Sequence, residues 1–113
     1  MSIGFFILGS ENMVVETNFS QNILTAKLYG EIDHHQAPNI RQKIDALTES
    51  LRPSELHLDF SNVSFMDSSG IGLIMGRYRQ VTLLGGILKV INVPSRLKKL
   101  ISLSGIDSLG VLK

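Results

Sequence analysis

The chain contains no cysteine, so disulfides, thiolate metal sites and cysteine nucleophiles are all excluded. That absence fits a reducing, cytoplasmic setting. An excess of one charge is missing too: 11 Lys and Arg stand against 10 Asp and Glu, a formal net charge of +1. The basic residues are scattered, with Arg96, Lys98 and Lys99 the only tight group. A nucleic-acid-binding domain would show a basic stripe, so no direct nucleic-acid partner is expected. No segment approaches the roughly 18 apolar residues of a membrane span. The apolar start Ile3-Gly4-Phe5-Phe6-Ile7-Leu8 lacks the basic flank and small-residue cleavage site of a signal peptide, so secretion is not expected. Residues 1–11 are read as an N-terminal extension of open role: an extra edge strand, a loosely held tail or an expression leftover. Residues 12–113 form one domain, since a chain of 113 residues buries roughly two thirds of its unfolded surface without staples.

What is present is organised around residues 59–72. Leu56, Leu58 and Phe60 alternate with His57 and Asp59, the period of a strand with one buried face. Beyond Gly70 the apolar residues Ile71, Ile74, Met75, Tyr78 and Val81 recur at three and four, the stripe of a packed helix. Asp67, Ser68 and Ser69 stand between the two. The plain reading of the serines is that they cap free N–H groups of the helix. The same groups and the helix dipole also accommodate a phosphate.

Taken in order, residues 12–17 and 23–29 read as strands, joined by a Ser- and Asn-rich hairpin turn at 18–22. Gly30-Glu31-Ile32-Asp33-His34-His35 leads into a helix that has Pro38 in its first turn. Ala37, Ile40, Ile44, Leu47 and Leu51 form its apolar face, and Pro53 enforces the stop. A strand at 55–60, a helix from about 69 to 84 and a strand at 87–91 follow. Pro94-Ser95 opens a last helix that Gly105 ends, and residues 109–112 read as a short final strand. The order β-β-α-β-α-β-α-β argues an α/β sheet with an antiparallel opening hairpin and right-handed crossovers.

Enzymatic readings are weak. The Gly70, Gly72, Gly76 spacing is GxGxxxG, far from the strand and with no acid after the next one, so it is not a dinucleotide fingerprint. The glycines instead thin one helix face so that another backbone can come close. Met66 stands where a nucleophile elbow needs glycine, and no P-loop lysine follows. His34, His35 and His57 lack metal-ligand spacing, so no metal, cofactor or catalytic residue is expected. In a parallel α/β unit the loops after strands lie at one end of the sheet, so the Asp33-His34-His35 loop and the Asp67-Ser68-Ser69 turn are expected in one surface patch. A binding surface is the preferred reading.

Gly30-Glu31-Ile32-Asp33-His34-His35 and Ser64-Phe65-Met66-Asp67-Ser68-Ser69-Gly70-Ile71-Gly72, with Gly76-Arg77-Tyr78 after them, resemble the sporulation anti-anti-sigma factors (anti-sigma factor antagonists) of the STAS fold. The resemblance runs from about residue 12 to the chain end. It implies a mixed sheet of four to five strands with an opening antiparallel hairpin and packed helices. It also implies a protein switch that is not an enzyme. The unphosphorylated form would bind an anti-sigma factor that is also a serine kinase, freeing a sporulation sigma factor. The kinase would phosphorylate Ser68, and a serine phosphatase would reset it. Asp33, His34, Asp67, Ser69, Gly70 and Gly72 are the implied partner-binding residues. The alternatives are a general stress switch acting on another sigma factor and, from a different class, a small nucleotide-binding protein or enzyme. Two departures stand out: residues before 12 have no counterpart, and the further C-terminal helix usual in the family is missing.

Overall fold

Two residues set the geometry of the opening hairpin. Gln21 and Asn22 both take positive φ, 52° and 64°, the mirror-image turn whose twist matches that of paired strands. The expected five-residue loop is therefore a two-residue turn, and residues 18–20 are paired strand. The computed structural model describes residues 2–7 and 13–112. In it β1 (Ser2–Ile7), β2 (Met13–Ser20) and β3 (Ile23–Ile32) run antiparallel in succession. Within the N-terminal extension, residues 2–7 form an edge strand, and the rest of it lies outside the described residues.

The helix α1 (Ala37–Leu51) follows, with Pro38 in its first turn and Arg52 in the left-handed conformation just before Pro53. Its buried positions are Ile40, Ile44 and Thr48, spaced at four. β4 (Glu55–Met66) then pairs parallel with β3, and β5 (Ile87–Ile91) parallel with β4. Between these two strands runs α2 (Ser68–Leu83). The sheet order is sequential, β1-β2-β3-β4-β5. Crossovers of one hand between sequential parallel strands put α1 and α2 on the same sheet face. Register aligns Leu24, Leu56 and Leu88 in one row and Ala26, Leu58 and Val90 in the next, all buried. Fully burying each large apolar side chain contributes about 2 kcal/mol relative to exposure. Thr25, Lys27, His57 and Lys89 lie between these rows, are only half-buried and form the opposite face.

Three expectations are corrected. β4 continues six residues past Phe60. It carries one extra residue between Asp59 and Asn62 and another between Val63 and Phe65, so its buried side chains step Phe60, Val63, Met66 instead of alternating. Polar groups around the first bulge are satisfied locally: Asp59 accepts from the Ser61 N–H and the Asn92 amide, and Arg96 donates to the Val63 carbonyl at 2.7 Å. The buried stripe of α2 is Gly70, Leu73, Ile74, Arg77 and Val81, with Ile71, Met75 and Tyr78 at its partly buried margin. Finally, α3 (Ser95–Leu103) ends before Gly105, which takes φ 84° as expected, but among the described residues no strand follows. A 3-10 turn (Ile106–Leu109) leads to a single parallel bridge of Leu112 to Val90.

Candidate functional site

Because β3 and β4 are parallel, the segments that follow them leave the same end of the sheet. Register sets Ile32 opposite Met66, so the next residues, Asp33 and Asp67, emerge side by side in the chain order. The Asp67 N–H donates to the Ile32 carbonyl at 3.1 Å and stitches the two turns together. The expected single patch is thus present.

Asp33 organises the first turn. Its Oδ1 accepts from the N–H groups of His35 (2.9 Å) and Gln36 (3.0 Å), while its carbonyl accepts from Gln36 and Ala37. These donors, the Gln36 N–H foremost, hold its carboxyl below the usual aspartate value, helped by the adjacent imidazoles. His34 and His35 are exposed, with ring centroids 4.0 Å apart.

Asp67 organises the second. The sequence reading gave the capping role to the serines, but the cap of α2 is Asp67, in extended conformation, with Oδ1 accepting from the Ser69 N–H at 2.8 Å. An aspartate outcompetes serine here because its charge also meets the positive end of the helix. Ser68 is left exposed at the first helical position, and Ser69 is half-buried. Gly70 is buried, and the Met66 side chain occupies the space a Cβ would need. Gly72 is exposed.

A cleft of about 350 Å³ opens between the two helices beside these turns. His34, Pro38 and Arg41 line one side, and Ser69, Gly72 and Arg77 the other. Arg77 is only 4% exposed and meets Asp45 of α1, Nε to Oδ1 at 2.8 Å and Nη2 to Oδ2 at 3.3 Å. Only the Nη2 contact has hydrogen-bond geometry; the shorter one is a charge contact with its N–H directed elsewhere. Burial pushes the Asp45 carboxyl up, against the pull of Arg77, and pushes the Arg77 guanidinium down. Sequence reasoning gave no role to Arg41, nor to Arg77 and Phe65, although it quoted both within the motifs; Phe65 is 50% exposed on the approach to the second turn. Position 77 lies on the buried stripe of α2 in the structure but off the stripe expected from sequence, at 71, 74, 75, 78 and 81.

Among the described residues no cluster of three His, Asp or Glu is placed to hold a metal ion. No helix among them is long and apolar enough to cross a membrane.

The STAS domain family matches residues 14–112. The chain belongs to the STAS domain family. It is 33% identical over 95 residues to the anti-sigma F factor antagonist of Paenibacillus polymyxa, covering 84% of this chain and 81% of that protein. It is also 33% identical over 98 residues to the anti-sigma-B factor antagonist of Bacillus subtilis, covering 87% and 88%. Among solved structures it is similar to the anti-sigma factor antagonist SpoIIAA, at 28% identity. The TM-score is 0.77 to the unphosphorylated form (88% of this chain, 85% of that) and 0.70 to the phosphorylated form (88% of each). This STAS domain therefore stands among the anti-sigma factor antagonists, which are regulatory proteins.

Proposed function

We propose that this STAS domain, unphosphorylated, binds an anti-sigma factor that is also a serine kinase, freeing a sigma factor, and that phosphorylation of Ser68 turns it off. A serine phosphatase resets it. The observation that carries the reading is the setting of Ser68, exposed at the first position of α2 between a capping aspartate and a half-buried neighbour. The choice of Ser68 over its neighbour Ser69 as acceptor rests on the family resemblance, which puts the phosphate on the first serine after the aspartate. Asp33, His34, Asp67, Ser69 and Gly72 surround the site as partner contacts, and Gly70 supports the turn from beneath.

A phosphate on Ser68 adds about −1.5 to −2 charge. The positive end of the α2 dipole partly accommodates it, so the fold survives. Beside the Asp67 carboxylate it concentrates negative charge where the partner must approach, and like-charge contact and desolvation fall on the complex. A cost of about 3 kcal/mol there weakens binding by roughly a hundredfold. The block is local.

The Asp33-His34-His35 run favours a sporulation sigma factor. The equal identity to an anti-sigma-B factor antagonist favours a second reading, a stress switch of the same mechanism. Calorimetric titration of the unphosphorylated chain against purified anti-sigma F and anti-sigma-B factors separates them. Tight binding to the first supports the sporulation reading, a preference for the second supports the stress switch, and binding to neither contradicts both.

A further inference from the structure

The glycines of α2 divide into one that the fold explains and two that it does not. Gly70 has no room for a Cβ because Met66 fills the space. At Gly72 and Gly76 a Cβ would meet nothing within 4 Å, so no packing among the described residues requires a bare position. Glycine inside a helix is unfavourable relative to alanine. A bare strip without an internal neighbour is not by itself a site. The residue next to it is Arg77, which lines the same cleft and is 4% exposed. Its Nη1 is buried and has no hydrogen-bond acceptor among the described residues. A buried donor in that state is costly, and costlier on a charged group. Asp45 offsets the charge only in part, since burial works against its own ionised form. On the facing helix Arg41 is exposed, and His34 lines the cleft on the same side.

We propose that this cleft receives an acidic side chain carried on a helix of the partner, which lies over Gly72 and Gly76 and directs its carboxylate to Arg41 and Arg77. The inference rests on the partner-binding reading above and adds the chemistry the partner presents. Two arginines favour an anion, and a planar guanidinium pairs best with a carboxylate or phosphate. The bare strip favours a helix, because two glycines one turn apart let a backbone approach closely. Together they select a carboxylate on a helix over a free anion.

The test pairs binding with thermal melting, using the anti-sigma F and anti-sigma-B factors as probes. Gly76→Ala is expected to raise the melting temperature by a few degrees, because it fills open space on a helix. It is nevertheless expected to weaken binding about tenfold, and Gly76→Leu further. Arg41→Glu, at an exposed position, is expected to leave the melt unchanged and weaken binding at least about tenfold. Changing one surface acid of the probe to lysine is expected to restore binding to Arg41→Glu. Wild-type affinity in both Gly76→Leu and Arg41→Glu overturns the cleft as docking surface while leaving the function intact. A loss that no acid-to-lysine change restores, or that inorganic phosphate reproduces by competing with the wild type, overturns the helical carboxylate. A wild-type chain that binds neither probe overturns the function itself, and the inference with it.

Discussion

Asp67 and Ile32 share a backbone hydrogen bond of 3.1 Å across the ends of two parallel strands. That bond makes the two turns one unit. Asp33 follows Ile32 directly, and Ser68 follows Asp67, so displacing either turn pulls on the other. The sheet register, Ile32 opposite Met66, sets the spacing, and the side chains of Asp33 and Asp67 then fix each turn by accepting N–H groups of the helix that follows.

Removing the cap of α2 costs stability. Asp67→Ala is expected to lower stability by about 1 kcal/mol, a shift in melting temperature of roughly 4–8 °C for a domain of this size. Asp67→Asn keeps the acceptor oxygen and is expected to lose only a small part of that. Thermal denaturation of both variants, followed by circular dichroism, checks the order.

The Arg77 and Asp45 pair couples α1 to α2, and its loss is asymmetric. Asp45→Leu leaves the guanidinium buried beside Arg41 with no counter-charge. Its cost is expected at about 1–2 kcal/mol, below that of a fully buried pair because the Asp45 side chain is 30% exposed. Adding Arg77→Met to Asp45→Leu is expected to recover part of the loss, since it removes the stranded charge. A double-mutant cycle in urea measures the coupling.

The two aspartates respond oppositely to pH. Asp33 has a folded-state value below its unfolded one, so its stabilisation is present above the unfolded value, about 3.9, and is lost as pH falls through the lower folded value. Asp45 is raised, so its contribution is most favourable below the unfolded value and declines as pH rises through the folded one. Carboxyl NMR titration is expected to place Asp33 below and Asp45 above that reference. Asp33→Asn is expected to flatten the acid limb of the stability profile below about pH 4.

Gly70 and Met66 test the packing under the switch. Gly70→Ala puts a methyl group into the Met66 side chain, and the displacement of a buried thioether is expected to cost about 1–2 kcal/mol. In a Met66→Ala background the space is free and the added cost of Gly70→Ala is expected to vanish. Equal penalties in both backgrounds would contradict the packing account.

Much of this architecture was legible before the structure. Pro38 and Pro53 bracket α1, residues 87–91 read as β5, and Gly105 marks the stop after α3, because each rests on a local constraint of φ or on a simple period. The second half of β4 was hidden because two bulges break its alternation, and Ser61, Asn62 and Ser64 on the exposed side imitate a turn. The juxtaposition of the two turns, 33–35 and 67–69, followed from topology, whereas the burial of Gly70 under Met66 did not. The cleft did not follow, because Arg41 and Arg77 belong to different helices and meet only through packing that no sequence period encodes.

The central claim is tested by intact-mass spectrometry after incubating the chain with ATP and an anti-sigma factor kinase that binds it, repeated on Ser68→Ala. The account predicts one added phosphate on the wild type, none on Ser68→Ala, and lost affinity for the kinase in the phosphorylated form. A phosphate that persists in Ser68→Ala, or no phosphate from a kinase active on another antagonist, would contradict it.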